Sequence, residues 1–312
     1  MAKSSYDLIA VTGPTASGKT AFAALLACRM GGEIISADSR QVYRGMDIGT
    51  GKDYSDYRID GKLVPFHLVD IVDAGQRYNV YEYRKDFLKA YNEIRDRNRM
   101  PVVCGGSGMY IDSILSGYRL IKVPVNRELR AELENETLEQ LTNILKKYRS
   151  LHNRTDIDNH KRAVRAVEIE EYYAANPEIA DDYPKINPLI VGIKYDRESR
   201  RRRITERLKA RLREGMIGEV EQLLKSGIEP EDLIYYGLEY KFITLFLLDQ
   251  LTYEEMFKSL ETSIHQFAKR QMTWFRGMER KGFKIHWLDG YMSADDKLAR
   301  IMVMLKGKEQ GA

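Results

Sequence analysis

Cysteine is almost missing from this sequence, with Cys28 and Cys104 the two present in 312 residues. Both fall inside apolar stretches and read as small core residues. That excludes a disulfide scaffold, offers no metal set, and implies a reducing compartment. Long apolar runs are missing too: no stretch approaches the roughly 20 residues of a membrane helix. The N-terminus lacks the apolar region of a secretory signal, so the expected place is the cytoplasm, with no membrane partner. Nor is there a large charge imbalance. Lys plus Arg total 50 against 46 for Asp plus Glu, and the net charge of +4 is too small to argue for nucleic acid by itself. The placement of the basic residues says more. At 43% hydrophobic and 31% charged, the composition is that of a globular protein long enough for one large domain or two smaller ones.

What is present is organised around Gly13-Pro14-Thr15-Ala16-Ser17-Gly18-Lys19-Thr20, a full match to the phosphate-loop pattern G-x-x-x-x-G-K-[ST]. The apolar run Leu8 to Val11 precedes it and an alanine-rich apolar segment, Thr20 to Met30, follows it, giving the strand–loop–helix context the motif needs. The glycines let successive N–H groups point inward at an anion, and the helix N-terminus adds partial positive charge. Lys19 brings a full charge, and Thr20 a hydroxyl suited to Mg²⁺. Glu33 to Ala37 reads as a second strand that ends at Asp38, on the ligand edge of an open parallel sheet; a turn or helix-cap aspartate is the alternative reading. Phe66 to Ile71 and Pro101 to Cys104 are further strands, with one long helix from Tyr78 to Asn98 between them. The last of these strands runs into a second glycine-rich turn, Gly105-Gly106-Ser107-Gly108, and a helix from Met109 to Leu115.

Between about Pro124 and Pro184 the pattern changes to helices only, which predicts an inserted helical subdomain. One helix is expected over Asn126 to Ser150, with basic residues Lys146, Lys147 and Arg149 at its end as the helix dipole favours. Another is expected over Asp158 to Tyr173, where Lys161, Arg162 and Arg165 share a face; such a face is otherwise simply solvated. Residues 188 to 195 return to a buried strand, followed by an arginine-dense helix in which Arg203 and Arg207 lie one turn apart, where guanidinium groups suit phosphate oxygens. Helices follow over about Glu231 to Leu248 and Tyr253 to Met278. The second interleaves Lys269, Arg270 and Arg276 with Phe267, Trp274 and Phe275, a pattern that fits a nucleic-acid backbone with stackable bases. A last strand, Phe283 to Leu288, and a frayed tail from Glu309 complete the reading. The fold expected is α/β: a P-loop NTPase-like parallel sheet flanked by helices in 1–123 and 185–312, the helical insertion in 124–184, and helical C-terminal elements.

In order and spacing together these stretches resemble the tRNA dimethylallyltransferase family, also called tRNA isopentenyltransferases. The resemblance is carried by Gly13 to Thr20, Asp38-Ser39-Arg40-Gln41-Val42-Tyr43, Gly45 to Thr50, His67 to Asp70, Gly105 to Tyr110, Arg162 with Arg165 to Glu168, Arg203 with Arg207, and Ala268 to Arg276. It implies prenyl transfer from dimethylallyl diphosphate to N6 of the adenosine just 3′ of a tRNA anticodon, with Mg²⁺. It implies further that Asp38 is the general base. The phosphate loop with Arg203 and Arg207 would bind the diphosphate, with Lys19, Thr20 and Arg203 acting on it. Asp38, Ser39, Arg40, Gln41, Ser107, Lys161, Arg162, Ala163, Val164, Arg165, Lys269, Arg270, Gln271, Trp274 and Arg276 would face tRNA, bound by a monomer at the anticodon stem-loop. Departures from the family pattern are Ile264-His265 where Thr-Arg is usual, Gly237-Leu238-Glu239-Tyr240 where a base is usual, Ser107 for threonine, a shorter insert, and no Cys/His zinc finger.

Two other classes use the same loop. A P-loop small-molecule kinase would need a carboxylate at the end of the strand that closes on Cys104, where none stands. An isopentenyltransferase acting on free adenine nucleotides would not need the basic helix at 269–276.

Overall fold

The computed structural model describes residues 6–117, 119–148, 157–179 and 183–307. The chain separates into two compact units, Met1–Gly117 with Lys185–Ala312, and Tyr118–Pro184. In the larger unit β1 (Leu8–Thr12) leads into α1 (Lys19–Met30), and β2 (Glu33–Ser36) follows. A hairpin of β3 (Arg58–Ile59) and β4 (Lys62–Leu63) precedes β5 (Phe66–His67), α2 (Val80–Asp96), β6 (Pro101–Gly105) and α3 (Gly108–Leu115). The smaller unit holds α4 (Arg127–Glu132), α5 (Leu138–Tyr148) and α6 (His160–Ala175). The chain returns through β7 (Pro188–Lys194), α7 (Arg197–Arg213), α8 (Met216–Lys225), α9 (Pro230–Tyr236) and α10 (Leu238–Leu247). It ends with α11 (Tyr253–Arg280), β8 (Ile285–Asp289) and α12 (Ala294–Gly307).

The sheet has the order β5-β2-β6-β1-β7-β8, every neighbouring pair parallel. This is P-loop NTPase-like architecture, with β1 central and its carboxyl end running into the phosphate loop. β1 and β6 are buried along their whole length, as a parallel sheet covered on both faces requires. Ile9, Val11, Phe22, Leu26, Val191 and Leu305 belong to one core cluster; fully burying each such side chain is worth about 1.5–3 kcal/mol. A second cluster joins Val42 and Tyr43 to Ile204, Leu208, Tyr240 and Leu260 from the C-terminal helices.

Three predicted elements come out shorter. The strand expected over Phe66 to Ile71 stops at His67, because Leu68 and Asp70 turn left-handed at φ 61 and 55. That turn delivers the Asp70 carboxylate to the buried ammonium of Lys52. The helix expected from Glu231 to Leu248 is broken at Gly237, φ 76, into α9 and α10. In the smaller unit the helix expected from Asn126 is two, α4 capped by Asn126 and α5 starting after Thr137, whose hydroxyl accepts the Gln140 N–H. Their shared core is Leu129, Leu133, Leu141 and Leu145 against Ala163, Val164 and Val167. The expectations for Arg149, Ser150 and the tail from Glu309 lie outside the described residues.

Candidate functional site

Because β1 is buried on both faces, the chain must turn sharply before α1 can begin. A side chain at Gly13 would bring its Cβ within 2.5 Å of the Ile193 carbonyl oxygen. Gly18, left-handed at φ 74, is the N-cap of α1 and supplies no side-chain cap, so the first N–H groups of the helix remain open to an anion. The outer wall of the loop is held from outside. The Thr15 N–H donates to Gln271 Oε1 at 2.8 Å, Arg203 Nε donates to the Ala16 carbonyl at 3.0 Å, and Arg207 donates to Thr15 Oγ1. Pro14 is buried under this wall. Ser17 is only 4% exposed, and its Oγ has no hydrogen-bond partner among the described residues. A buried hydroxyl so placed suits an incoming anion oxygen.

The inner wall opens on a cavity of about 450 Å³ lined by the loop from Thr15 to Thr20, Asp38, Gln41, Arg203 and Arg207. Lys19, Arg203 and Arg207 share its wall with the carboxylates of Asp38, Asp53, Asp56 and Glu206. Burial pushes the Lys19 ammonium below its ordinary range, with the nearby Asp38 charge pulling it back in part. Burial, then the neighbouring Arg211, does the same to the Arg207 guanidinium. Two cations held in this way gain from a bound anion what they lose to desolvation. Cys104 lies at the cavity floor with its thiol pushed up to about 11 by burial, so it is no nucleophile.

Asp38 stands at the end of β2 on the same edge. Its Oδ1 accepts the Arg40 N–H at 2.9 Å, fixing the carboxylate in an Asx turn against the cavity. The second glycine turn fastens to this one: the Ser107 N–H donates to the Ala37 carbonyl at 3.2 Å, and Ser107 Oγ accepts the Ser39 N–H at 3.1 Å. Gln41 is buried, accepting from Ser36 Oγ and donating to the Gly51 carbonyl, each at 3.1 Å. The Arg40 guanidinium sits 5.6 Å from the Tyr236 ring centroid.

The residues expected to face nucleic acid divide into two sets. Lys269, Arg270 and Arg276 are exposed along α11, and Lys161 and Arg162 are exposed on α6, with Arg162 paired to Asp158 at 3.2 Å. Gln271 is 6% exposed and turned into the protein, and Trp274 lies over Gly108, so close that a Cβ there would be 2.4 Å from the indole. Ala163 is fully buried and Val164 nearly so, because both fall on the apolar stripe of α6. Arg165 donates to the Val123 carbonyl at 2.9 Å and pairs with Glu168. Glu168 also takes Arg130 and the Asn126 N–H at 2.6 Å; burial alone would raise its carboxyl, but these donors hold it at about 2. Of these three residues of α6, two are core and the third binds the chain that enters its own unit. A groove of about 620 Å³ beside Val123 to Leu129 in that unit is lined by Arg127, Glu128 and Glu171 as well as the paired Glu168.

Residues not expected at the site also reach the cavity. Thr50, Gly51, Asp53 and Asp56 form its far wall. That strap is shaped by Glu219, whose carboxylate accepts the N–H groups of Asp47, Ile48 and Gly49 at 2.6 to 3.1 Å, and by Arg211, which holds Asp53 at 2.8 Å. Glu239 stands near Arg207 and Arg211, its carboxyl raised by burial and lowered by these arginines. On α11 Ile264 is core, while His265 is half-buried near Arg200, Arg201 and Glu261, its imidazole held down first by burial and then by Arg201.

The IPP transferase family model matches residues 41–278 and the isopentenyl transferase model residues 6–59. The chain is 59% identical over 301 residues to tRNA dimethylallyltransferase 2 of Bacteroides fragilis, covering 96% of this chain and 98% of the relative. It is 56% identical over 304 residues to tRNA dimethylallyltransferase 1 of Parabacteroides distasonis, covering 97% and 99%. Among solved structures it is similar to the full-length tRNA isopentenylpyrophosphate transferase of Bacillus halodurans, with a TM-score of 0.70, 32% identity and 96% of each chain covered. A eukaryotic dimethylallyltransferase shares the fold at a TM-score of 0.78 and 20% identity, over 96% of this chain and 79% of that one.

Proposed function

Because this chain belongs to the tRNA dimethylallyltransferase family, with 56 to 59% identity over nearly its whole length, we propose that it transfers a dimethylallyl group from dimethylallyl diphosphate to N6 of the adenosine 3′-adjacent to a tRNA anticodon. The observation that carries this reading is the cavity in which a phosphate loop, two desolvated cations and the Asp38 carboxylate meet.

The donor's diphosphate lies in the phosphate loop against Lys19, Ser17 and the α1 N-terminus, with Arg203 and Arg207 behind it. Ala210 and Phe267, also in the cavity wall, face the small apolar dimethylallyl group. In the reaction the donor's C–O bond breaks, diphosphate leaves with the electron pair, and a bond forms from N6 to the allylic carbon. Fixed cations and N–H dipoles favour the charge that grows on the leaving group. N6 is a poor nucleophile because its lone pair is delocalised into the purine. Asp38 accepts its proton, a role worth about 10² to 10⁴ in rate. The target base is turned out of the anticodon loop to reach the cavity, at a cost of a few kcal/mol, and phosphate contacts from Lys269, Arg270, Arg276, Lys161 and Arg162 offset it.

Mg²⁺ fits the donor set at the loop. Among the described residues no group of three or more His, Cys, Asp or Glu could cage a metal. A metal held by the Thr20 hydroxyl, the diphosphate and water is what Mg²⁺ prefers; bound there it would add charge stabilisation to the leaving group. No helix among the described residues is long and apolar enough to cross a membrane, and we place the enzyme in the cytoplasm, acting as a monomer on the anticodon stem-loop. The test is incubation with labelled dimethylallyl diphosphate and unmodified tRNA, with AMP and ATP as competing acceptors. Label on the tRNA adenosine is the expected outcome; label on AMP alone, or phosphoryl transfer from ATP, would overturn the reading.

A further inference from the structure

Gln271 sits on α11 between residues that are open to solvent, Arg270 on one side and Thr273 two positions on, yet it is turned inward and 6% exposed. Its amide is used at both ends. Oε1 accepts the Thr15 N–H at 2.8 Å, and Nε2 donates to the Gly106 carbonyl at 2.9 Å. The fit is tight. A Cβ on Gly106 would be 2.4 Å from Gln271 Nε2 and 3.1 Å from the Gly13 carbonyl oxygen, so only glycine lets the phosphate loop, the second glycine turn and this side chain meet. The second turn continues into Ser107, whose N–H and Oγ bind the Ala37 carbonyl and the Ser39 N–H, the residues on either side of Asp38.

From this connection we infer that Gln271 is a positioning residue that sets the separation between the diphosphate cradle and Asp38. The inference rests on the proposed prenyl transfer. One side chain joins Thr15 to Gly106, Gly106 leads to Ser107, and Ser107 grips both neighbours of Asp38. The carbon that leaves the diphosphate and the nitrogen that attacks it are bound on opposite ends of this chain of contacts, and their distance is what the amide controls. A misplacement of about 1 Å in such a pair costs about 10²-fold in rate. Gln271 lines the cavity wall, and each end of its amide holds a backbone group of one of the two turns.

The experiment compares wild type with Gln271→Met, which keeps the length and removes both hydrogen bonds, with Ser107→Ala at the far end of the chain, and with the double variant. Wild type must first prenylate tRNA; if it does not, it is the proposed function that fails. Single-turnover rate at saturating substrates, pyrophosphate affinity, and anticodon stem-loop affinity across a salt series are measured, with thermal melting to confirm the fold. Gln271→Glu, which keeps the acceptor for Thr15, takes the place of the methionine variant where that one does not fold. The single-turnover rate should fall about 10²-fold in the Gln271 variant, while stem-loop affinity and its salt slope stay within about twofold of wild type. The double variant should be no slower than the worse single variant, because the two residues act through one connection. Fully additive losses in rate would overturn the inference. So would a drop in stem-loop affinity with an unchanged rate at saturation, which would make Gln271 a tRNA contact.

Discussion

The two ends of the parallel sheet treat buried charge in opposite ways. At the amino-terminal end of β2, the Glu33 carboxylate is 3% exposed and surrounded by partners: Arg97 bidentate at 2.7 and 3.0 Å, Arg99 at 3.0 Å and His67 at 2.7 Å. Burial alone would raise its carboxyl; the hydrogen bonds from Arg97 and His67 outweigh that and hold it at about 2. At the carboxyl-terminal end, Lys19 and Arg207 are pushed down from their ordinary ranges by burial, and the charges nearest Arg207 include another cation, Arg211. The closed end is complete as it stands. In the proposed function the open end is completed by the diphosphate, at the carboxyl edge where such sheets bind their ligands.

If that contrast is right, substitutions at the two ends should separate turnover from stability. Lys19→Ala should have the largest effect: single-turnover prenyl transfer down by about 10³-fold and pyrophosphate affinity weakened in calorimetry, with the fold intact. Asp38→Asn keeps size and removes proton acceptance, so the rate should drop by about 10² or more while donor affinity changes little. Excess Mg²⁺ that fully restored the rate would make Asp38 a metal partner and falsify the base role. Replacing Lys269, Arg270 and Arg276 together by alanine should leave pyrophosphate affinity alone. It should lower the salt slope of stem-loop binding by about 0.7 to 0.9 for each phosphate that is no longer neutralised; wild-type affinity at every salt concentration would count against an α11 interface.

Glu33→Gln should act on stability only. The folded carboxyl, at about 2 against an ordinary 4.5, binds its proton later than the unfolded one. Its contribution is therefore fully present above pH 4.5 and drains as the pH falls toward 2. The shift corresponds to at most about 3 kcal/mol, reduced by solvent screening of the half-exposed arginines. Urea titrations of wild type and variant at several pH values check this, with the variant less stable at neutral pH and the gap closing in acid.

The phosphate loop, the parallel sheet and the basic character of α11 are legible in the sequence because each rests on a local pattern. Gly13 to Thr20 sits between a strand and a helix, and Lys269, Arg270 and Arg276 follow helical spacing. Asp38 is legible through topology, since a strand ending on the ligand edge needs no knowledge of packing. What escapes is long-range. Nothing near Gln271 in sequence says that its amide is spent on Thr15 and Gly106, 256 and 165 positions away, so by pattern alone it falls in with its exposed neighbours. Ala163 and Val164 fall in with Lys161 and Arg162 in the same way, although their apolar side chains mark the buried stripe of α6. The strap from Gly51 to Asp56 has no local signature because Asp53 is held by Arg211 on a later helix. The breaks at Leu68 and Gly237 are hidden because left-handed residues interrupt otherwise regular apolar patterns.

The contrast between the two ends is tested most directly by the melting temperature of wild type, Lys19→Ala and Glu33→Gln, each with and without saturating pyrophosphate and Mg²⁺. A ligand that binds the folded state raises the melting temperature, and more so the tighter it binds. Glu33→Gln should melt below wild type and gain the same increment from pyrophosphate. Lys19→Ala should melt at or above wild type when free and gain little. A full increment in Lys19→Ala, or a lost increment in Glu33→Gln, would contradict the account.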